Sequence, residues 1–350
     1  MNWYKKTCPI PCEKSKKAAQ DRQACLTKPP GSLGRLESLA IEIASLQHSE
    51  QPKLENIEIA IFAGDHGVVD EGISAFPQAV TAEMIRNFVN GGAAISVLAR
   101  QINANLNVIN TGVASGERFD PPVLDFSLAR GTENLLHQAA MSEQLLEEAM
   151  AIGLKVQQGF KNKPHLAIGG DMGIGNTTSA TALAAVITET DPENIVGPGT
   201  GLDSAGVRHK LETIRRAIQR ANITLEDNDS YLLLLRELGG LEIAALCGYY
   251  IACAQNAIPV LLDGFITTSA ALVAVGINPS IRPWLLFSHS SAESGHRYMI
   301  DHLQGQTILD LGMRLGEGSG AATTVNLLKS ACMLHNEMAT FEQASVSGKL

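Results

Sequence analysis

Residues 57–67 read IEIAIFAGDHG, a short run of mostly β-branched and apolar residues that ends in a polar, glycine-containing turn. Such a run followed by a turn is typical of a buried strand in an α/β protein. The pattern recurs along the chain and predicts strands at 57–63, 106–110, 165–168, 258–262 and 284–287. Polar or glycine-rich turns follow them at 64–67, 111–112, 169–171, 263–264 and 288–291.

Longer segments with helical periodicity separate these runs and predict helices at 177–188, 204–221, 241–255 and 292–303. Residues 13–48 are also predicted to be mostly helical, with a break at 28–34 because the Pro-Pro-Gly run there cannot continue a helix. Strands that alternate with helices indicate βαβ units. The expected fold class is therefore α/β, a mostly parallel sheet flanked by helices.

The composition excludes several classes of function. The chain has 350 residues, 45% of them hydrophobic, which is enough for one large core and a smaller attachment. Its formal net charge of -9 argues against nucleic acid or an anionic membrane as a partner. No membrane span and no signal peptide are predicted, and none of the six cysteines forms a CxxC pair. We expect a reduced, cytoplasmic protein.

The turns after the predicted strands are expected to meet at one edge of the sheet. In a parallel sheet with right-handed crossovers, the carboxyl ends of the strands all point to the same side. Asp, His, Ser and Gly residues occupy those ends in this sequence. A purely structural protein has no need of polar chemistry at every strand end, so this rim is the predicted ligand site.

Two glycine-rich segments are candidates for binding an anion. GGDMGIGNTTSA at 169–180 leads into an alanine-rich helix, whose free N–H groups are suited to hold a phosphate. It is neither a Walker loop nor a GxGxxG fingerprint, and a tight turn with a capped helix is the alternative. In VGPGTGLDSAGVRHK at 196–210, Lys210 is either a point charge for a phosphate or carboxylate, or a solvated side chain.

A third segment, MRLGEGSGAA at 313–322, places a carboxylate between two glycines. Glu317 is either part of a surface turn or an acid or base on a loop that can approach a substrate closely. Met313 and Leu315, just before it, are suited to form the wall of a flat, uncharged pocket.

Acidic and histidine side chains at the strand ends also raise the alternative of a catalytic metal. Asp65, His66, Asp263 and His289 are the candidates. The sequence has no HExxH motif, no histidines paired at ligand spacing and no cysteine cluster. We therefore expect no metal, and hydrogen bonds among these side chains instead.

Six motifs together resemble a known family. They are, in order, KPPGSLGRLE (28–37), AGDHGV (63–68), GGDMGIGNTT (169–178), LLDGF (261–265), SHSSAESGH (288–296) and MRLGEGSGAA (313–322). The series is similar to that of the nicotinate-nucleotide–dimethylbenzimidazole phosphoribosyltransferases of cobalamin lower-ligand synthesis, over about residues 20–340. Any one motif is weak evidence, whereas six in the same order are specific.

The resemblance implies an architecture and a reaction. The fold would be a Rossmann-like α/β domain at 55–304 and a small helical domain from 1–54 and 305–350, which carries a catalytic loop near 313–322. The enzyme would be a homodimer that uses no metal or other cofactor. It would transfer the phosphoribosyl group of nicotinate mononucleotide to 5,6-dimethylbenzimidazole or a similar base, giving α-ribazole 5′-phosphate and nicotinate.

The resemblance also implies roles for individual residues. Glu317, within the segment that matches the family's RLGEGSG motif, is the implied general base. The implied mononucleotide site comprises Asp171, Gly173, Asn176, Thr177, Gly201, Lys210 and Ser291. The implied base pocket comprises Phe76, Met84, Met172, Met313 and Leu315.

Three positions depart from the family pattern. Asp171 stands where relatives commonly carry Glu, so a shorter side chain must reach the same neighbour directly or through water. Phe76 and Met84 replace polar residues of some relatives, which makes the pocket more apolar and leaves the accepted base open. The alternative functions are transfer to adenine or a phenolic compound, a metal-dependent hydrolase that uses the rim Asp and His residues, and a nucleotide sensor without catalysis.

Overall fold

The computed structural model describes residues 2–347 and contains a seven-stranded sheet. The strands are β1 (Ile57–Gly64), β2 (Asn105–Gly112), β3 (Leu124–Asp125), β4 (Leu166–Met172), β5 (Val260–Leu262), β6 (Leu285–His289) and β7 (Thr307–Leu309). Every neighbouring pair is parallel, and the order across the sheet is β3-β2-β1-β4-β5-β6-β7. The predicted α/β class with a parallel sheet is confirmed.

Helices cover both faces of the sheet and both ends of the chain. They are α1 (Glu13–Cys25), α2 (Arg35–Gln47), α3 (Ala79–Val89), α4 (Ala94–Ile102), α5 (Glu143–Gln158), α6 (Asn176–Thr188), α7 (Pro192–Ile195), α8 (Ser204–Ala221), α9 (Asn228–Leu238), α10 (Leu241–Gln255), α11 (Phe265–Ile277), α12 (His296–His302) and α13 (Ser319–Glu337). Among residues 2–347, no helix combines the length and the apolar character needed to cross a membrane.

The five predicted strands are all present, but two further strands escape the sequence pattern. These are β3 and β7, which contain two and three residues at the edges of the sheet and are too short to show a period. The helices predicted at 204–221 and 241–255 have the observed bounds. The helix predicted at 292–303 is shorter and spans His296–His302, and the Ala292 N–H before it donates to the carbonyl of Met313 at 2.9 Å.

The turn predicted at 169–171 is wrong, because these residues lie within the buried strand β4. A Cβ atom on Gly169 would lie 2.7 Å from the ring of Tyr250, and one on Gly170 would lie 2.6 Å from the carbonyl carbon of Glu317. These glycines therefore allow close packing rather than a change of chain direction. Residues 111–112 and 288–289, also predicted as turns, end β2 and β6.

The core is centred on α10, which packs between the sheet and α5. Its residues from Leu241 to Ala254 are all buried. A Cβ atom on Gly248 would collide with the carbonyl of Met150 on α5, so the backbones of the two helices pass in direct contact there. This apolar, glycine-containing helix explains why one face of the sheet is fully covered.

The two ends of the chain pack together through α1, α2 and α13. Arg22 of α1 donates to the carbonyls of His335 and Asn336 on α13 at 2.6 Å and 2.7 Å. Since α13 also packs on β4 and β6, it connects the chain ends to the sheet, and β7 extends the sheet to Leu309. The division into 55–304 and the two terminal segments stays a prediction.

The order of the strands determines where a ligand can bind. The chain moves outward from β1 to β2 and β3 and then returns to β4 on the other side of β1. The connections at the carboxyl edge diverge at this reversal and leave a crevice between them. Open α/β sheets bind their ligands in such a crevice.

Candidate active site

A cleft of about 340 Å³ opens at the carboxyl edge of the sheet, beside the ends of β4, β5 and β6. This volume lies within the range of small-molecule sites. Most of the predicted site residues line the cleft, namely Phe76, Met84, Asp171, Met172, Gly173, Asn176, Thr177, Ser291, Leu315 and Glu317. Residues that are up to about 240 positions apart in sequence therefore share one site.

The structure does not place three predicted residues at the cleft surface. Met313 precedes the lining segment, and its carbonyl is used by the N–H of Ala292. No atom lies within 4 Å of the Cβ position of Gly201, and Gly199 and Thr200 line the cleft instead. Lys210 lies just behind the lining, in contact with Thr177.

Glu317 lies on a loop at the start of α13 and is buried, with 7% of its surface exposed. Gly316, Glu317 and Gly318 have φ angles of 87°, 63° and 82°, a region that glycine adopts freely and other residues rarely. The carboxylate of Asp263, just after β5, accepts the N–H groups of Gly318 at 3.1 Å and Ala321 at 2.9 Å. The two glycines and Asp263 thus set the path of the loop. The surface-turn interpretation of Glu317 is wrong.

The carboxylate of Glu317 keeps one oxygen free. Oε2 is buried and has no hydrogen-bond partner within residues 2–347. Burial raises the pKa of Glu317, a hydrogen bond from the backbone N–H of Ile95 lowers it, and the negative charge of Asp263 raises it, so that the net shift is upward. A raised pKa brings a carboxylate closer to the optimum for a proton acceptor near neutral pH.

Asp171 lies at the end of β4, close to the same loop. Its Oδ2 accepts a hydrogen bond from Asn176 Nδ2 at 3.0 Å, so the short side chain reaches this neighbour directly. Burial, together with the negative charges of Asp263 and Glu242, raises the pKa of Asp171 to about 8. Asp171 is therefore mostly protonated at neutral pH and adds little negative charge to the cleft.

Lys210, on α8, is a buried cation at the other end of the cleft. It is 1% exposed, and its Nζ donates to Thr177 Oγ1 at 2.7 Å. Within the part of the chain that the structure describes, Lys210 forms no salt bridge, and burial lowers its pKa to about 8. Because Thr177 lies in the first turn of α6, the ammonium adds its charge to the positive end of the helix dipole. This combination is suited to an anion, and the interpretation of Lys210 as a solvated side chain is wrong.

The segment around Ser291 is held by a buried histidine. His296 Nδ1 accepts the backbone N–H of Ser291 at 3.0 Å, and its Nε2 lies 3.0 Å from Thr268 Oγ1. Burial, with a smaller contribution from His289, lowers the pKa of His296 to about 3. A neutral ring with both nitrogens in use fixes the loop that carries Ser291 into the cleft.

The strand-end residues considered as metal ligands have other partners. His66 contacts Glu242 Oε1 at 2.7 Å through Nε2 and Ser179 Oγ at 3.0 Å through Nδ1. Asp65 accepts from Thr81 Oγ1 at 2.6 Å. Within residues 2–347, no group of three or more His, Cys, Asp and Glu side chains is arranged to hold a metal ion. Existing hydrogen bonds therefore assign His66 and Asp65 to the support of the cleft.

Several lining residues were not predicted from the sequence. They are Val80, Ile174, Gly199, Thr200, Gly264, Phe265, Ile266, Glu293, Arg314 and Gly316, while His289, considered above only as a metal ligand, also lines the cleft. Glu293 and Arg314 are charged residues inside two of the quoted motifs, which is a signal that would have found them. The apolar residues carry no comparable signal, since apolar side chains in helices and strands are usually core.

Comparison with known proteins gives consistent matches over the whole chain. A phosphoribosyltransferase family model matches residues 8–346. Nicotinate-nucleotide–dimethylbenzimidazole phosphoribosyltransferases of Pseudomonas putida and Pseudomonas aeruginosa are each 51% identical, over 99% and 100% of this chain and 98% and 99% of those proteins. The crystal structure of the enzyme of that name from Thermus thermophilus superposes with a TM-score of 0.89 at 37% identity, over 97% of this chain and 100% of that one.

Proposed function

Because this chain belongs to the nicotinate-nucleotide–dimethylbenzimidazole phosphoribosyltransferase family, we propose that its cleft transfers the phosphoribosyl group of nicotinate mononucleotide to 5,6-dimethylbenzimidazole or a similar base. The products are nicotinate and α-ribazole 5′-phosphate, which serves the assembly of the cobalamin nucleotide loop. One observation carries the proposal: the buried, free oxygen of Glu317 and the buried ammonium of Lys210 belong to the same cleft region.

The donor binds with its phosphate near Lys210 and Thr177. The ammonium has three N–H groups and uses one of them on Thr177 Oγ1. The hydroxyl of Ser291 supplies a further donor, and the positive end of the α6 helix dipole favours an anion there. Gly173 and Asn176 lie along the same wall, so the mononucleotide extends from Lys210 towards Glu317.

The donor's leaving group needs no acid. Nicotinate is attached through a pyridinium nitrogen, and cleavage of the bond to the anomeric carbon returns the electron pair to that nitrogen. The departing ring is a neutral pyridine, so no proton has to be delivered to it. One carboxylate is therefore sufficient for the acid–base chemistry of the reaction.

Glu317 acts on the acceptor. Its free oxygen takes the N–H proton of the incoming base while the other ring nitrogen attacks the anomeric carbon. Phe76, Met84, Met172 and Leu315 form the apolar wall against which the flat base packs. Attack from the face opposite the leaving nicotinate inverts a β-nucleotide into an α-ribotide. Alignment of the two substrates in one cleft supplies much of the remaining rate.

We also propose that the protein is a homodimer in the cytoplasm. Residues 55–304 would form the large domain, and the two terminal segments, 1–54 and 305–350, the small one. Phe76 and Leu315, at the mouth of the cleft, are 51% and 59% exposed in the single chain. Exposed apolar side chains beside a site that must exclude water support a covering surface. Light scattering at several protein concentrations tests the dimer, and a monomer at working concentration contradicts it.

One experiment tests the reaction and its alternatives together. The protein is incubated with nicotinate mononucleotide and a panel of benzimidazoles, adenine and phenols, and the products are identified by mass. We expect nicotinate to be released and the ribotide to form. The same products should form when a metal chelator is present. Loss of activity with chelator favours the hydrolase alternative, and binding without release of nicotinate favours the nucleotide sensor.

A further inference from the structure

Glu293 places a carboxylate in the half of the cleft where the donor's phosphate is proposed to bind. It lines the cleft on the segment that carries Ser291, and its backbone N–H donates to Ser291 Oγ at 3.3 Å. Its side-chain oxygens accept no hydrogen bond from the described residues. A Cβ atom on Gly197 would collide with Oε2, so the carboxylate is pressed against the backbone of the glycine loop.

Two cations face this carboxylate from different elements. Lys210 Nζ lies against the same glycine loop as Glu293, 3.1 Å from a Cβ position on Gly199, and Arg314 lines the cleft on the loop that leads to Glu317. Burial raises the pKa of Glu293, while the positive charges of Lys210 and Arg314 lower it, and Glu293 in turn raises the pKa of Lys210. Neither cation forms a salt bridge with Glu293 in the described part of the chain. The carboxylate is thus under the influence of two positive charges without a direct salt bridge to either.

The electrostatics of the cleft change when the donor arrives. In the empty cleft, Glu293 offsets part of the cost of burying the Lys210 ammonium. A bound phosphate monoester brings between one and two negative charges at neutral pH. With Glu293 ionised, the phosphate and the carboxylate then compete for the same two cations and repel each other at short range.

We propose that Glu293 is the counter-ion of Lys210 and Arg314 in the empty cleft, and that it takes up one proton from solvent when the donor's phosphate occupies that place. The residue thereby sets the affinity for the donor and makes donor binding proton-linked. This inference rests on the proposed donor site and adds to it a residue that opposes binding while it is ionised.

Glu293→Gln is the discriminating variant, because the amide keeps the shape and cannot ionise. Binding of nicotinate mononucleotide and of inorganic phosphate is measured by calorimetry. We expect the variant to bind both about fivefold more tightly than the wild type near pH 7, with the difference shrinking as the pH falls through the raised pKa of Glu293. Glu212→Gln on α8, an exposed residue near Lys210, removes the same charge outside the cleft and should leave both affinities unchanged.

Proton uptake provides a second readout that a structural role would not change. Calorimetry in buffers of different ionisation enthalpy counts the protons taken up with the donor, near pH 6, well below the pKa of about 8 that Lys210 has in the wild type. Asp171 and Glu317 are present in both proteins, and their contributions cancel in the difference. The wild type should take up more protons than Glu293→Gln, and no such excess should accompany nicotinate riboside, which lacks the phosphate.

The inference is overturned if Glu293→Gln binds the donor equally or more weakly, which is the sign expected if Glu293 accepts the ribose hydroxyls. Equal proton uptake by the two proteins also overturns it. If the variant does not fold, proton uptake by the wild type with the mononucleotide is compared with its uptake with the riboside, and this comparison alone tests the inference. Failure of the inference leaves transfer by the wild type intact, whereas failure of the proposed function appears as absence of that transfer.

Discussion

The two halves of the cleft are built in different ways. The donor half combines a helix start, two glycine loops and a buried ammonium, most of it from 169–210. The acceptor half brings Phe76 and Met84 together with Glu317, which are distant in sequence. Most of the donor half comes from one stretch of sequence, to which Ser291 and Glu293 are added from a distant segment, whereas the acceptor half exists only through long-range packing.

The difference also concerns how each charged group is tuned. Lys210 is buried among α8, α6 and the glycine loop, and its pKa falls to about 8. Glu317 is held by an unusual backbone path, and its pKa is raised by burial. The same physical cause, loss of hydration, weakens the charge of each group and brings both towards neutrality. Two independent structures therefore shift the pKa of a carboxylate upward and that of an ammonium downward.

Glu317→Gln should produce the largest effect and separate the two halves most clearly. The amide cannot accept a proton, so we expect kcat to fall about a thousandfold. Donor affinity should change little, because Lys210 and Thr177 are untouched. Steady-state kinetics and a donor titration measure the two effects, with Glu337→Gln at the exposed end of α13 as the control. Turnover close to that of the wild type would remove Glu317 from its role.

Lys210→Met should act on the other half alone. Loss of a charge-assisted bond to the phosphate should raise KM for nicotinate mononucleotide about fiftyfold. The KM for the base should stay within about twofold, since no base contact is lost. The exposed Lys161→Met serves as the control. A variant that loses affinity for the base rather than for the mononucleotide contradicts the division of the cleft.

Gly170→Ala tests whether packing positions the acceptor half. Its new Cβ atom would lie 2.6 Å from the carbonyl carbon of Glu317, so the loop must shift. We expect kcat to fall about thirtyfold through misplacement of the carboxylate, with donor affinity largely retained. Gly159→Ala, at the end of α5 with its nearest atom 3.4 Å from the Cβ position, is the matched control. Equal loss of donor binding and turnover, with a normal melting profile, would show that the halves are not independent.

The pH dependence of activity should give the smallest effect. We expect its acidic limb to report on Glu317 in the acceptor half and its alkaline limb on Lys210 in the donor half. As pH falls through the raised pKa of Glu317, the carboxylate is protonated and kcat declines up to about tenfold per unit. As pH rises above about 8, Lys210 loses its charge and donor affinity declines. Lys210→Arg should move only the alkaline limb, towards higher pH. If neither limb moves in that variant, Lys210 is not the group whose titration produces the alkaline limb.

Much of the architecture is predictable from the sequence because its signals are local. The β-branched runs and helical periods predict five of the seven strands and the bounds of α8 and α10. The glycines at 169 and 170 are misread as a turn, because glycine has the same sequence signature whether it bends the chain or allows close packing. Only the contact of Gly170 with Glu317 distinguishes the two cases.

The residues of the site can be predicted only in part, again because the sequence signals are local. Ten of the thirteen predicted residues line the cleft, while Glu293 and Arg314 were overlooked although they stand in quoted motifs. The sequence does not indicate whether a charged side chain in a loop is exposed to solvent or lies near another charge. The distance between Glu293 and its two cations depends on three segments that meet only in the folded chain.

The sequence by itself determined the α/β class, the polar strand ends and the motifs that identify the family, because these depend on residue type and short spacing. The tertiary structure alone decided that Glu317 is buried with a free oxygen, that Lys210 is a dehydrated cation, and that two positive charges act on Glu293. Burial and electrostatic interaction depend on which distant segments exclude water from one another, and no local pattern records that.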